Sequence, residues 1–369
     1  MALSTQSLFT VQELTDYCID FLHSSHGDLM ACALVHRSWT ETSQTHLFHH
    51  LSIIDPFTRS ASSHLEAADS RWKHLCDVLA TSARLRGFVR GLEIDMQGVS
   101  VENFNLIFSL SFPRIREVKI LGTWTSSAIL EAQTLLRLPT VTRVTLGGIF
   151  ENLVTLAQVL ESCSSHLHEL SLFLVQITEV ALADHPPITK QVAMKHLLLY
   201  NSSDAFRWLS STQCPLVFTE LKSLTLDTVS AQTLSQPPLS TLISKIEYLD
   251  LQKDPASDTP ISLAEFTGLK HLEVAVALNA IDEVPWALGL LKTLPRSNRL
   301  EKIGFAVLES SFFDNDSWAS YDKQILSSRT PHLKMVQVRF ERETTPVLPD
   351  PSGTFPLLNA LGLVRVCYF

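Results

Sequence analysis

The chain has 369 residues, 45 % of them apolar and 18 % charged, with a net charge of −9 at pH 7. Against the roughly 25 % charged residues of an average soluble domain, this is ample material for a continuous core and excludes long disordered stretches. The acidic balance disfavours nucleic acid as the main partner, because phosphates need a basic face, and with only 12 glycines phosphate-cradling loops are not expected either. From the N-terminus, MALSTQSLFT lacks a charged leader and a long apolar run, so no signal peptide is expected. No stretch reaches the roughly 18 apolar residues of a membrane span, and no membrane partner is expected. Length allows one small domain followed by an elongated one.

The first elements are helical. ELTDYCIDFL (13–22) places Leu14, Cys18, Phe21 and Leu22 on one apolar stripe. The turn SSHGD (24–28) closes it with Gly27 and offers Asp28 as the next cap. DLMACALV (28–35) is apolar on nearly all sides, and RSWTETSQTHLF (37–48) is a third, more polar helix. A bundle this small cannot bury a helix that is apolar all round, so part of that surface must face something else. The succession of Glu13, Leu14, Ile19 and Leu22, then Asp28, Leu29, Cys32, Leu34, Val35 and Trp39, then Leu47 and Phe48, resembles the F-box. The second half is the closer match; Thr10-Val11 stand where that family often has Leu-Pro. The resemblance implies docking onto a Skp-type adaptor, and through it a cullin, with Leu14, Ile19, Leu22, Leu29, Cys32, Leu34, Val35 and Trp39 as adaptor-binding residues. The alternative is that these helices only cap the exposed edge of whatever follows. A linker helix is expected over 70–90, with Arg84, Arg86 and Arg90 on its polar side.

From Val89 onward the chain repeats. VRGLEI (89–94), IREVKI (115–120), VTRVTL (141–146) and LHELSL (167–172) fit apolar-x-x-apolar-x-apolar, as do MKHLLL (194–199), LKSLTL (221–226), IEYLDL (246–251) and LKHLEV (269–274). LEKIGF (300–305), LKMVQV (333–338) and LNALGL (358–363) complete the set. At this apolar content such a pattern matches by chance in about 9 % of windows, so single matches mean little. The spacing decides: the middle positions recur about every 26 residues for seven intervals, then stretch, as insertions around FFDNDSWASYD (312–322) would make them do. SSAILEAQTLLRL (126–138) and ENLVTLAQVLESC (151–163), with Leu153, Leu156, Val159 and Leu160 on one stripe, have helical period. Pro113, Pro139, Pro331 and Pro356 precede motifs, where proline stops a helix and suits an extended segment.

Strand–helix units that cannot bury a face alone stack into a solenoid. This resembles the leucine-rich-repeat family in its longer, helix-containing form, without that family's Asn or Cys three residues beyond the last strand position. Those places hold Gln97, Thr123, Ile149, Val175, Ser202, Val229, Asp254, Ala277, Leu308, Glu341 and Val366. Together the two resemblances are to fungal F-box proteins that continue into irregular leucine-rich repeats. The expected architecture is therefore α/β: a three-helix F-box-like module at 8–50, a linker and cap at 51–88, and a repeat solenoid at 89–369 of about eleven irregular repeats, with parallel strands and helices on the convex side. The implied role is substrate recognition within a Skp–cullin–F-box ubiquitin ligase, with an unknown protein substrate; the alternative is an interaction scaffold outside ubiquitin transfer.

Residues three, five and seven of each motif should point out of the core and form one face. Phe173, His196, Leu198, Tyr200, Asp227, Tyr248, Asp250 and Glu273 make an aromatic patch with an acidic rim, a candidate substrate-binding surface for a basic or amphipathic segment. No nucleophile-elbow, zincin or P-loop motif occurs, and no catalysis or cofactor is expected. His23 and His26, or His46, His49 and His50, lack partners at ligand spacing, so no metal is expected. Cys76 or Cys163 as a nucleophile has no local motif behind it. Gly147-Gly148 reads as a turn. Cys18, Cys32, Cys76, Cys163, Cys214 and Cys367 include no C-x-x-C pair and read as reduced, mostly buried thiols of a cytoplasmic or nuclear protein.

Overall fold

The computed structural model describes residues 6–53, 63–96, 101–179, 192–209, 214–227, 242–253, 261–276, 283–295, 297–307, 315–327, 330–340, 353 and 355–368. They divide into two compact units, Met1–Glu151 with Gln158–Leu167, and Asn152–Ala157 with His168–Phe369. In both, parallel strands alternate with helices.

The first unit opens with α1 (Gln6–Asp20), α2 (His26–Val35) and α3 (Arg37–Leu47). Helix α2 begins two residues before the expected Asp28. Ser25 is its N-cap and donates its hydroxyl to Asp28 at 2.6 Å, so Asp28 sits in the first turn, where a carboxylate favours the positive helix end. The expected helix over 70–90 is broken. Helix α4 (Ser63–Thr81) ends before Ser82, whose side chain accepts from Leu85 N–H to start the short α5 (Ala83–Arg86). Arg90 therefore lies outside any helix.

The strands of this unit are β1 (His50–Ile53), β2 (Gly91–Asp95), β3 (Glu117–Trp124) and β4 (Arg143–Asn152), paired in parallel in that order. The sheet thus starts one strand before Val89. FHHLSI (48–53) fits the motif as well as any other copy, and Leu51 and Ile53 are buried beside Leu92 and Ile94. Helices α6 (Val101–Ser109) and α7 (Ser126–Leu136) fill the intervals, α7 burying Ile129, Ala132, Leu135 and Leu136. Gly147-Gly148 is not a turn: both residues lie inside β4, paired with Leu121 and Gly122 of β3. Beyond them Trp124 stacks on Phe150 with centroids 5.2 Å apart, and its indole N–H donates to the Gly147 carbonyl at 3.1 Å.

Helix α8 (Leu153–Ser162) buries Leu153, Leu156, Val159 and Leu160, the expected stripe. The second unit then pairs β5 (Glu169–Glu179), β7 (His196–Tyr200), β9 (Ser223–Asp227), β10 (Tyr248–Gln252), β11 (His271–Val276), β12 (Lys302–Val307), β13 (Met335–Phe340) and β14 (Val364–Tyr368), all parallel. A separate two-stranded pair joins β6 (Val192–Ala193) to β8 (Leu216–Val217). Helices α9 (Ser203–Leu209), α10 (Glu283–Lys292), α11 (Asn315–Ser327) and α12 (Pro356–Ala360) lie between strands. Residues four and six of the motif are buried throughout, from Leu170 and Leu172 to Val336 and Val338.

The last copy is misplaced by three residues in the sequence reading. Leu358 and Asn359 belong to α12, started by Pro356 at its first turn, and β14 pairs Val364 with Val336. LGLVRV (361–366) is the true motif; the apolar content of α12 supplies the decoy.

In place of an asparagine, one serine ties a bend. Ser202 is fully buried; its hydroxyl oxygen accepts from Val175 N–H at 3.1 Å, with the carbonyls of Tyr200 and Leu172 at 2.9 and 3.2 Å to take its proton. Ser202→Ala would leave a buried N–H unpaired, and urea unfolding should show a loss of about 2 kcal/mol. Gln97, Val229, Asp254, Ala277, Leu308 and Glu341 lie outside the described residues, as do 312–314 of the expected insertion.

Candidate functional site

Helix α1 is inside out. Its polar residues face α3: Asp16 accepts from Thr42 Oγ1 at 2.5 Å and from Gln12 Nε2 at 2.8 Å, Gln12 donates to the Ser38 carbonyl, and Asp20 pairs with His46 Nε2 at 2.7 Å. The apolar stripe faces solvent, with Leu14 64 % and Phe21 67 % exposed, and Tyr17 set edge-on against Phe21 at 4.8 Å. Helix α2 likewise exposes Met30, Leu34 (87 % exposed) and Val35. Among the described residues of the three helices, the large apolar side chains that are buried are Ile19 and Leu29.

The residues expected to bind an adaptor therefore separate. Leu14, Leu34 and Val35 are exposed, Leu22, Cys32 and Trp39 are half-buried, and Ile19 and Leu29 are buried. Tyr17 and Met30 belong to the surface and were not singled out, although Tyr17 lies three residues from Leu14 and four from Phe21, the helical spacing that shows it. Six large apolar side chains exposed on one small module exceed the scattered exposure of an ordinary surface.

The second surface lies on the second unit. Strand register aligns Phe173 with Tyr200, Thr225 with Asp250 and Glu273, and Tyr248 with His271. The expected aromatic patch is divided in two. Phe173 stacks on Tyr200 at 5.0 Å and 11°, while Tyr248 meets His271 at 4.8 Å and 63°; β9, with Ser223 and Thr225, runs between the two pairs. His196 is exposed and Leu198 half-buried on the same face.

Two of the expected acidic contacts are committed elsewhere. Asp227 is buried, and its carboxylate accepts from the backbone N–H of Asn201, a residue held at φ 46°. Glu273 is buried and accepts from Arg339 at 2.6 Å. Arg339 comes from two strands away, and Gly304 on the strand between them keeps its path open, since a Cβ there would overlap the Glu273 carboxylate. Both residues were assigned outward from strand alternation, which fixes the side of the sheet but not how far neighbours close over it.

Asp250 remains half-buried between Thr225 and Glu273. Burial, then the Glu273 charge, pushes its carboxyl from 3.8 up to about 6, with Arg339 only partly opposing. Burial likewise raises Tyr248 to about 12 and lowers His271 to about 4, so His271 is neutral at pH 7. The raised Asp250 pKa gives a pH prediction. The folded state holds this proton more tightly than the unfolded state, so stability falls as pH rises from about 4 to about 6 and the penalty is complete above that. Asp250→Asn should remove it, raising stability at pH 8 by on the order of 2 kcal/mol and leaving stability at pH 3 unchanged by urea unfolding.

Among the described residues no group of three His, Cys, Asp or Glu is arranged to hold a metal, and no helix is long and apolar enough to cross a membrane. His46 is engaged by Asp20, and His23 Nδ1 lies 2.9 Å from the Asp20 carbonyl. All six cysteines are free, but only Cys76 and Cys163 are buried; Cys18 is exposed because it sits on the outward stripe of α1. Burial raises the Cys76 thiol to about 11, which holds it protonated and un-nucleophilic.

No known family profile matches the chain, and no curated protein matches it. Among solved structures, the leucine-rich repeat-containing protein LegL7 from Legionella pneumophila is similar with a TM-score of 0.46 and 11 % identity, over 79 % of this chain and 85 % of that chain. The surfaces described above stand on this chain's own geometry.

Proposed function

We propose that this protein is a substrate-recognition subunit of a Skp–cullin–F-box ubiquitin ligase, working in the cytoplasm or nucleus. The observation that carries the reading is the inverted α1, whose polar side is spent on α3 while Leu14, Tyr17 and Phe21 stay exposed, as do Met30, Leu34 and Val35 of α2. An apolar surface of this kind, in a module that resembles the F-box, fits the small Skp-type adaptor. Helices that merely capped the repeats would turn this stripe inward. The repeat face of the second unit, with its two aromatic pairs and the half-buried Asp250, fits recognition of a protein substrate; catalysis would reside in other subunits of the ligase.

The experiment is co-expression with and without a Skp-type adaptor followed by size exclusion. A stable one-to-one complex is expected. A well-folded chain that elutes alone would refute the ligase reading and leave a repeat scaffold.

A further inference from the structure

The residue ahead of each strand's third motif position forms a ladder along one edge of each unit, because its backbone N–H donates to the carbonyl of the same position one repeat earlier. In the second unit the rungs are His168, Lys195, Lys222, Glu247, Lys270, Glu301 and Lys334, joined at 2.8–3.0 Å. From Lys222 onward their charges alternate and neutralise one another: Glu247 pairs with Lys222 at 3.4 Å and Lys270 at 2.8 Å, and Glu301 pairs with Lys334 at 2.7 Å.

The first unit breaks this rule. Its rungs are His49, Arg90, Arg116 and Thr142, linked at 2.7–2.9 Å, with no carboxylate among them. Arg114, two residues before Arg116, adds another guanidinium, and both are close enough to Arg90 to depress its pKa after burial has done so. Arg90 itself is anchored, donating to the Gly87 carbonyl at 2.9 Å. Nearby carboxylates are engaged: Glu117 with Arg143 at 2.8 Å, Glu93 with Lys119. Among the described residues Arg114 and Arg116, both exposed, form no ion pair. In a chain whose net charge is −9, three guanidiniums gathered at one edge with no carboxylate paired to them among the described residues are an unfilled demand for anion.

We propose that the Arg90–Arg114–Arg116 edge of the first unit docks an acidic segment of a partner protein, whose oxyanions bridge neighbouring guanidiniums. Guanidinium forks match carboxylate and phosphate oxygens in bidentate pairs, and several such contacts make a patch selective for clustered negative charge. Glutamates or phosphorylated serines could supply it. The site shares no residue with the α1–α2 surface, so it stands or falls independently of adaptor binding.

The test is fluorescence anisotropy of the full chain with three labelled probes: a short oligoglutamate peptide, a phosphoserine peptide of equal length, and a single-stranded oligonucleotide. At least one peptide should bind, with binding weakening as salt rises. The double variant Arg114→Gln/Arg116→Gln, both exposed and free to change without unfolding the chain, should weaken it about tenfold or more. Lys222→Gln/Lys270→Gln, in the self-neutralised ladder, should leave it unchanged. Response to oligoglutamate identifies carboxylates as sufficient; response to the phosphoserine peptide alone identifies phosphate as the recognised group. Absence of peptide binding, equal loss in both double variants, or an oligonucleotide bound as tightly as the peptides would overturn the proposal.

Discussion

Leu34→Asp is expected to abolish co-elution with a Skp-type adaptor while leaving the thermal transition of the protein in place. Leu34 is 87 % exposed on α2, so a carboxylate there stays hydrated and costs the fold little. At the centre of an apolar interface the same carboxylate would be desolvated against a partner that cannot pair it, a loss of about 2 kcal/mol or more, or at least thirty-fold in affinity. Leu29→Asp, five residues earlier in the same helix, should do the opposite. Leu29 is fully buried, and a carboxylate in its place would cost roughly 4 kcal/mol or more and unfold the module. The pair of variants therefore separates docking from folding. A Leu34→Asp protein that melts early would mean that the stripe is covered by the protein itself. One that still co-elutes with the adaptor would place docking elsewhere.

Gly148→Ala should destabilise the first unit by about 3 kcal/mol or more, seen as an earlier urea transition. Two costs coincide at this position. Gly148 sits at φ 101°, where an L side chain is strained, and a Cβ would overlap the Gly122 carbonyl of the neighbouring strand. Gly122 itself has φ 132° and packs against Met96, so the strand cannot move away without opening a second clash. This stacked glycine pair lets β3 and β4 run on in register to Trp124 and Phe150, whose rings then seal the end of the layer. Releasing it should loosen that aromatic stack as well.

The register of the repeats is local and was legible. Apolar residues two apart in a strand share a side, so Leu92 and Ile94, Leu224 and Leu226, or Val336 and Val338 announce both the strand and its buried face. The same rule misread the last copy, because Leu358, Leu361 and Leu363 satisfy it while Pro356 starts a helix there. It also passed over FHHLSI (48–53), which a reading of that stretch as the end of a helical module had hidden. Likewise the α1 stripe was plain in the spacing of Leu14, Cys18 and Phe21, but spacing states only that residues are aligned. Whether the aligned side is buried was decided by Thr42 and His46 on α3, which claim Asp16 and Asp20 and turn the stripe outward.

Side chains reaching across repeats were decided only in three dimensions. Asp250 and Glu273 face each other on neighbouring strands and Asp227 lies two places further along the strand before them, all three in outward places, yet Asp227 caps the loop at Asn201, Glu273 meets an arginine two strands away, and Asp250 is left with a raised pKa. Sequence period by itself determined that this chain stacks parallel strands and which of their residues form the core. The tertiary structure decided which charges are neutralised and which apolar surface is left open, because those depend on neighbours supplied by segments tens of residues distant.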